Sequence, residues 1–383
     1  MFYHLPPAGN PVCLTKQPGL VVSSLFSPYQ TQFYGSGTAA LAAAIIAAIK
    51  LKNANRPEII LPAYGCPDLV SAVIYTGAKP ILVDIEAERP WLDLSQLASS
   101  VTENTVAIVA VNLFGIEERW TRLRELTKKN NIVLIEDSAQ YFPGEDEPLD
   151  WQGDLVVLSF GRGKPVSLLG GGAVLTKKTS LLDLLPKAQI KPATFSQRLS
   201  FGLKARLYNA MISPFLYWLP QALPFLHLGE TRYHVLPEIE AMDQIRNDLL
   251  TSNISCYQAD TKATGRCEKI STMLNSLDGV VDLPQVCAMK VNRRLLRYPV
   301  LVESTERDRL YGKLRQAGLG ASIMYPASLP EINGLSHIFD KRYVFPNAQA
   351  FASRLITLPT HSSVADKDIA SMNSLLSEWR DDG

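Results

Sequence analysis

The sequence predicts an α/β protein with a large domain on a mostly parallel sheet and a smaller C-terminal α/β domain. Three observations carry that prediction. Between Glu58 and Ser159, short β-branched apolar runs alternate with helical segments, the pattern of a parallel sheet covered by helices. The chain has 383 residues, more than one typical core holds, so a second unit is expected. After Pro237 the character changes to long helical patterns and then a second series of strands and helices. The large domain is placed at 1–250 and the small one at 251–383.

Composition narrows the class of function. With 46% hydrophobic and 20% charged residues and a net charge of +1, the chain lacks the basic excess of a nucleic-acid binder. Five cysteines are scattered without CxxC spacing, which reads as reduced thiols in a cytoplasmic chain with no zinc site. Met1 to Thr15 lacks a basic stretch followed by a long apolar core, so no secretory leader is expected.

The elements justify themselves in order. Phe33-Tyr34-Gly35-Ser36-Gly37-Thr38 leads into the alanine-rich run Ala39–Ile49, a helix opened by glycines and capped by Ser36 or Thr38. Such a turn presents free N–H groups that can hold a phosphate; an ordinary capped helix reads the same way. Strands are expected at Glu58–Pro62, Pro80–Asp84, Val106–Val111, Ile132–Asp137 and Asp154–Leu158, with helices at Asp68–Tyr75 and Glu117–Asn130. In the second unit, a connecting helical region spans Glu238–Leu274. Strands follow at Leu295–Val302 and Ala321–Tyr325, with helices at Arg307–Ala317 and Val364–Trp379.

Two side chains at strand ends carry chemistry. Lys164 stands among small residues in Ser159-Phe160-Gly161-Arg162-Gly163-Lys164-Pro165, directly after a buried strand. Asp137 ends the preceding strand, where a carboxylate can pair with a cationic ring nitrogen, bind a metal or cap a helix. A metal would want further ligands, and Glu136 points to the opposite side of its strand. Ligands in parallel sheets bind at the carboxyl ends of strands, so Lys164 and Asp137 can converge on one ligand. A phosphate-holding turn, an acid and a glycine-flanked lysine are the set that pyridoxal phosphate needs.

The chain also resembles the DegT/DnrJ/EryC1/StrS aminotransferases. The motifs are Ser36-Gly37-Thr38-Ala39-Ala40-Leu41, Leu61-Pro62-Ala63-Tyr64, Gly77-Ala78-Lys79-Pro80 to Val83-Asp84, Glu136-Asp137-Ser138-Ala139-Gln140, and Gly153-Asp154 to Ser159-Phe160 and Lys164. Arg307 to Tyr325-Pro326 and Leu358-Pro359-Thr360-His361 match the small domain. The resemblance implies the aspartate-aminotransferase-like fold type I, pyridoxal 5'-phosphate as cofactor and a homodimer with active sites at its interface. It implies that Lys164 is the Schiff-base lysine and proton shuttle, that Asp137 pairs with the pyridine nitrogen and that Gln140 lies near the phenolic oxygen. Gly37, Thr38, Ala39 and Ser159 would hold the phosphate, and Tyr325 would contact substrate, although a packed aromatic reads equally well there. Members typically move an amino group, usually from glutamate, to a keto sugar on a nucleotide. Those that dehydrate instead carry histidine at the lysine position, so Lys164 speaks for transfer. A sugar eliminase, or a binding partner without turnover in polysaccharide assembly, are the other readings.

Several positions depart from the family. Cys66 stands where an aromatic residue often stacks on the cofactor, with Tyr64 nearby to compensate. The acid of the usual Gly-Glu-Gly-Gly run is absent from Gly170-Gly171-Gly172, and no asparagine stands near Tyr233-His234. An apolar insertion lies at about 190–232. Within it Leu207–Gly229 has no Asp, Glu, Lys or Arg and follows Lys187, Lys191, Arg198, Lys204 and Arg206. Its prolines argue against a spanning helix. It reads either as an apolar segment buried at a dimer interface or cleft, or as a patch touching an anionic membrane. Arg293, Arg294 and Arg297 read as a solvated basic edge or as contacts for an anionic substrate. His234 and His361 have no metal-ligand partner at useful spacing.

Overall fold

The computed structural model describes residues 3–16, 22–223, 230–290, 293–339 and 343–378. The described residues contain ten strands: β1 Gln30–Tyr34, β2 Glu58–Pro62, β3 Lys79–Val83, β4 Thr105–Val111, β5 Val133–Asp137, β6 Leu155–Ser159, β7 Gly172–Thr176, β8 Val281–Asp282, β9 Arg297–Leu301 and β10 Leu355–Pro359. Seven form one sheet in the order β1-β7-β6-β5-β4-β2-β3. Strands β6, β5, β4, β2 and β3 run parallel, and β7 is antiparallel to both its neighbours. The remaining three form an antiparallel sheet in the order β10-β9-β8. A mixed α/β architecture of fold type I results.

The large-sheet helices are α1 Gly37–Lys52, α2 Asp68–Tyr75, α3 Leu94–Ser100, α4 Trp120–Lys129 and α5 Thr179–Leu184. Helix α1 explains its own composition. Its alanines at 39, 40, 42, 43, 44, 47 and 48 are buried, because small side chains let a helix lie flat against the β-branched strand face. Ser36 caps it, accepting from the Ala39 N–H at 3.0 Å, and Asn53 ends it in the left-handed conformation.

Beyond the sheet come α6 Phe195–Met211, α7 Trp218–Gln221, α8 Gln244–Gln258, α9 Ala263–Leu274, α10 Leu283–Val286, α11 Arg307–Gln316, α12 Pro346–Arg354 and α13 Asp366–Glu378. The expected connecting helix is thus two helices, preceded by non-helical chain from Glu238. Thr251, the expected start of the small domain, lies inside α8. Ile245, Leu249, Leu250 and Ile254 of α8 pack into a core with β6, β7 and Phe26, whereas Cys267, Ile270 and Met273 of α9 join the core of β9 and β10. Thr251 therefore stands in α8 between residues that pack against the large sheet.

Ala321–Tyr325 is a further difference, because it forms no strand. Only Ser322 pairs, exchanging two hydrogen bonds with Thr357 of β10 at 3.0 and 2.9 Å. Gly320 and Tyr325 have φ of 67° and 54°, so the backbone turns away from the sheet at both ends of the run. Trp379, the expected end of the last helix, and Pro224–Gly229 of the apolar stretch lie outside the described residues.

Candidate active site

The carboxyl ends of β4, β5 and β6 and the N-terminus of α1 open on one cavity of about 230 Å³. Gly37, Thr38, Cys66, Asp137, Gln140, Ser159, Lys164 and Tyr325 line it. Most of the sequence-predicted set is thereby brought together by topology, since parallel strands deliver successive loops to the same edge.

Glycines let the cavity floor pack at backbone distance. A Cβ on Gly37 would stand 2.6 Å from Ser159 Cβ, and one on Gly172 would stand 2.5 Å from the Ser36 carbonyl oxygen. Loop, helix start and β6 end approach one another at backbone distance, which only glycine permits. Ser159 Oγ faces this turn, accepting from the Gly161 N–H at 3.4 Å. Thr38 Oγ1 donates to Asp68 Oδ2 at 3.1 Å.

Asp137 is buried, and Oδ1 accepts from the Ala139 N–H at 2.9 Å. Burial pushes its carboxyl above the ordinary range, while the Ala139 N–H and the Lys164 charge oppose that rise. A buried carboxylate of this kind suits a cationic ring nitrogen, whose charge would restore the ionised form. Its neighbour Glu136 points to the other side and is occupied structurally. It accepts from Asn112 Nδ2 at 2.8 Å, Ser138 Oγ at 2.9 Å and the Gly153 N–H at 2.8 Å.

Gln140 and Tyr325 form a linked pair. The Phe114 N–H donates to Gln140 Oε1 at 2.9 Å, and Gln140 Nε2 donates to the Tyr325 hydroxyl at 3.1 Å. Burial raises the Tyr325 phenol well above its usual value, with Cys66 adding to the effect. Burial likewise pushes the Cys66 thiol up to about 12, so Cys66 stands in the cavity as a neutral, polarizable wall.

Two predicted contacts are placed elsewhere. Tyr64 does not line the cavity. Its ring packs on Phe351 at 4.9 Å and Tyr325 at 6.0 Å, and its hydroxyl donates to the Met324 carbonyl at 2.5 Å. It supports Tyr325 from behind. The Ala39 N–H is taken by Ser36 Oγ.

Arg293 and Arg294 are buried and do not form a solvated edge. Arg293 Nε donates to the Gly115 carbonyl at 2.6 Å with its guanidinium 3.5 Å above the Tyr141 ring. Arg294 Nη1 donates to the Tyr257 carbonyl at 2.6 Å and Nη2 to Gln258 at 3.2 Å. Together they tie the chain ahead of β9 to the turn at Gly115 and to the end of α8. Arg297 differs: Nη1 donates to Ser322 Oγ at 2.6 Å and Nε has no partner among the described residues. It lines a second cavity, of about 430 Å³, that Arg162, Gly163 and Arg315 also line, next in the chain to Lys164.

Three contributors escaped sequence reading. Asp68 lines the cavity beside Cys66, but at the start of α2 it is explained by favourable charge at a helix N-terminus. Asn10 donates from Nδ2 to the carbonyls of Lys164 and Pro165 at 3.3 and 2.9 Å, a contact across more than 150 residues with no local signal. Arg246 arches over Gly170, donating from Nε to the Leu168 carbonyl at 3.1 Å and pairing with Asp243. It braces the glycine run that lacks the usual acid.

Fold and cavity together define a pyridoxal phosphate-dependent transaminase: lysine and acid at adjacent strand ends, and a glycine cradle at a helix start. The model of the DegT/DnrJ/EryC1/StrS aminotransferase family matches residues 33–207 and 258–376, and the chain belongs to that family. It is similar to GDP-perosamine synthase of Escherichia coli O157:H7, 33% identical over 150 residues, 39% of this chain and 40% of that protein. A longer match is dTDP-4-amino-4,6-dideoxy-D-glucose transaminase of Shigella dysenteriae, 22% identical over 339 residues, 87% of this chain and 81% of that one. Among solved structures, Helicobacter pylori PseC, an aminotransferase involved in the biosynthesis of pseudoaminic acid, superposes with a TM-score of 0.73 at 16% identity, covering 100% and 99% of the two chains. Bacillus subtilis NtdA with bound cofactor PMP superposes at 0.69 and 18% identity, covering 93% and 74%.

Proposed function

We propose that this aminotransferase moves an amino group from glutamate to a keto sugar carried on a nucleotide or a lipid, in the assembly of a surface polysaccharide or secondary metabolite. The observation that carries the reading is the placement of Lys164 and buried Asp137 on one cavity with the Gly37–Ser159 cradle. The names of the relatives, which are sugar transaminases, supply the acceptor class.

The cavity fits the cofactor. Gly37, Thr38 and Ser159 would hold the phosphate, Asp137 would face the ring nitrogen, and Gln140 would lie near the phenolic oxygen with Cys66 as a wall. When bound, pyridoxal phosphate supplies an electron sink for the carbon that bears the amine. Lys164 Nζ serves as the base that takes the proton from the donor carbon and returns it on the acceptor side. Tyr325, held by Gln140, faces the space that substrate enters. The enzyme works as a homodimer in the cytoplasm, with the apolar insertion that includes 207–229 serving either as a buried interface or cleft lining or as a peripheral contact with a membrane surface.

The test is the pair of half-reactions. Glutamate alone converts the enzyme stoichiometrically to its amino form with release of 2-oxoglutarate, and a nucleotide-linked keto sugar restores it with appearance of the amino sugar. An enzyme that instead releases ammonium from an amino sugar, with no conversion by glutamate, sinks the proposal.

A further inference from the structure

Among the described residues, the longest exposed apolar surface begins ahead of the segment 207–229, on helix α6. Helix α6 carries Phe195, Leu199, Leu203 and Leu207 at spacings of four residues, with exposures of 83%, 64%, 67% and 58%. At about 100° per residue, steps of four turn the helix only about 40° each, so the four side chains form one oblique stripe about 18 Å long. On the opposite face Phe201 and Ala205 are buried in the large-domain core. The helix therefore satisfies the protein with one face and still presents a full apolar face outward. Just beyond its end, Phe215, Leu216 and Leu219 continue the exposed apolar surface.

Charge says what covers this face. No Asp or Glu occurs from 184 to 229, while Lys187, Lys191, Arg198, Lys204 and Arg206 do, and all five are exposed. Lys204 and Arg206 flank the stripe on opposite sides by their helical positions, whereas Arg198 is held by Asp248 at 3.1 Å. Glu238, Glu240 and Asp243 line one cavity with Lys187, Lys191 and Lys204, but none of them lies on α6, so pairing α6 with a second copy about a twofold axis would still set Lys204 and Arg206 against their own counterparts, and interface cores are depleted in charge. A helix with apolar residues on one face and lysine or arginine at its borders is the design that lies in the interface of an anionic bilayer. A capping box of Thr194 and Gln197, with the Thr194 N–H donating to Gln197 Oε1 at 2.9 Å, starts the helix without help from packing.

We propose that α6, with Phe215, Leu216 and Leu219 beyond it, is a monotopic docking surface for anionic lipid. It deepens the membrane contact of the proposed function and moves its centre from 207–229 to the α6 stripe. The insertion that carries the stripe also reaches the second cavity. Tyr208, Ile212, Tyr217 and Pro220 of the same insertion line that cavity together with Arg162, Arg297 and Arg315.

The experiment is sedimentation of the cofactor-loaded full chain with sucrose-loaded vesicles. Vesicles of phosphatidylcholine with phosphatidylglycerol are compared with phosphatidylcholine alone, at low and high salt. The anionic vesicles should carry the protein down, with loss of binding at high salt. The double substitution Leu199→Glu/Leu203→Glu should weaken binding about tenfold or more while retaining the visible cofactor band and the oligomeric state by light scattering. As a variant that leaves the helix apolar, Leu203→Trp should gain emission quenched by brominated acyl chains, over the wild-type background. Protein that stays in the supernatant, added emission from Leu203→Trp that is blind to the brominated lipid, or a double variant that changes oligomeric state but still binds vesicles would each overturn the proposal. None of these readouts needs turnover, so failure here leaves the aminotransferase reading standing.

Discussion

Asp137, the proposed partner of the cofactor's ring nitrogen, carries a cost in the cofactor-free protein. Its carboxyl is raised by burial, so the folded state binds its proton more tightly than the unfolded chain does. Stability is then lost as pH rises from the ordinary carboxylate range through the raised value, and the cost persists at neutral pH. Asp137→Asn in the cofactor-free protein should therefore melt higher at pH 7, with the gain disappearing below about pH 4, as followed by calorimetry. The same variant should retain cofactor poorly and turn over at least about a hundredfold more slowly, because a neutral amide cannot keep a ring nitrogen charged. Lys164→Ala should lose the visible band of lysine-bound cofactor and all transfer from glutamate, measured by absorbance and 2-oxoglutarate release. Lys164 and Asp137 were legible because each follows a strand that its own apolar run declares. Arg293 and Arg294 were not. Nothing in Arg293-Arg294 distinguishes solvated cations from guanidiniums bound to distant carbonyls, since the acceptors come from Gly115 and Tyr257.

At the level of elements, the cradle is a steric fit between a helix start and a strand end. Gly37→Ala should collide with Ser159, where the added carbon would meet Cβ at 2.6 Å, and cofactor affinity should fall by about tenfold or more. Combining it with Ser159→Gly should recover part of that loss in a cofactor titration; a double variant no better than the single one would show that the contact is not the cause. The parallel strands were legible because runs buried on both faces need continuous β-branched residues. Ala321–Tyr325 has equally suitable residues but pairs only at Ser322, and the backbone of Tyr325 enters the left-handed region. The sequence has no local mark of that turn, as no glycine stands at 325. Its consequence is functional, since it delivers the phenol to Gln140 and the cavity.

Across the whole molecule, the first described residues bind both units. Leu5 packs in the core of β9 and β10, and its N–H donates to the Gly318 carbonyl at 2.7 Å. Val12 packs in the core of β6 and β7, and Asn10 between them holds the carbonyls of Lys164 and Pro165. Asn10→Ala should speed amide exchange in the 161–168 loop and lower turnover several-fold with the cofactor still bound, measured by exchange mass spectrometry and steady-state rates. Buried His361 anchors the same segment, paired with the Pro6 carbonyl at 2.8 Å, and burial lowers its imidazole to about 4. The unfolded chain therefore takes up a proton first as pH falls. Stability contributed by neutral His361 is full above about pH 6.5 and is lost down to about pH 4, worth about 3 kcal/mol. His361→Gln should flatten that part of the acid stability profile in denaturant titrations. By itself the sequence determined the α/β class, the strand ends that bear Lys164 and Asp137, and the cofactor, because each is written in contiguous runs whose period and turn chemistry are local. Tertiary structure alone decided that Asn10 and Arg246 brace the lysine loop, that Tyr64 stands behind Tyr325, and that the apolar face of α6 is exposed. Those depend on which surfaces meet across hundreds of residues, and a hydrophobic run reads the same whether a core covers it or nothing does.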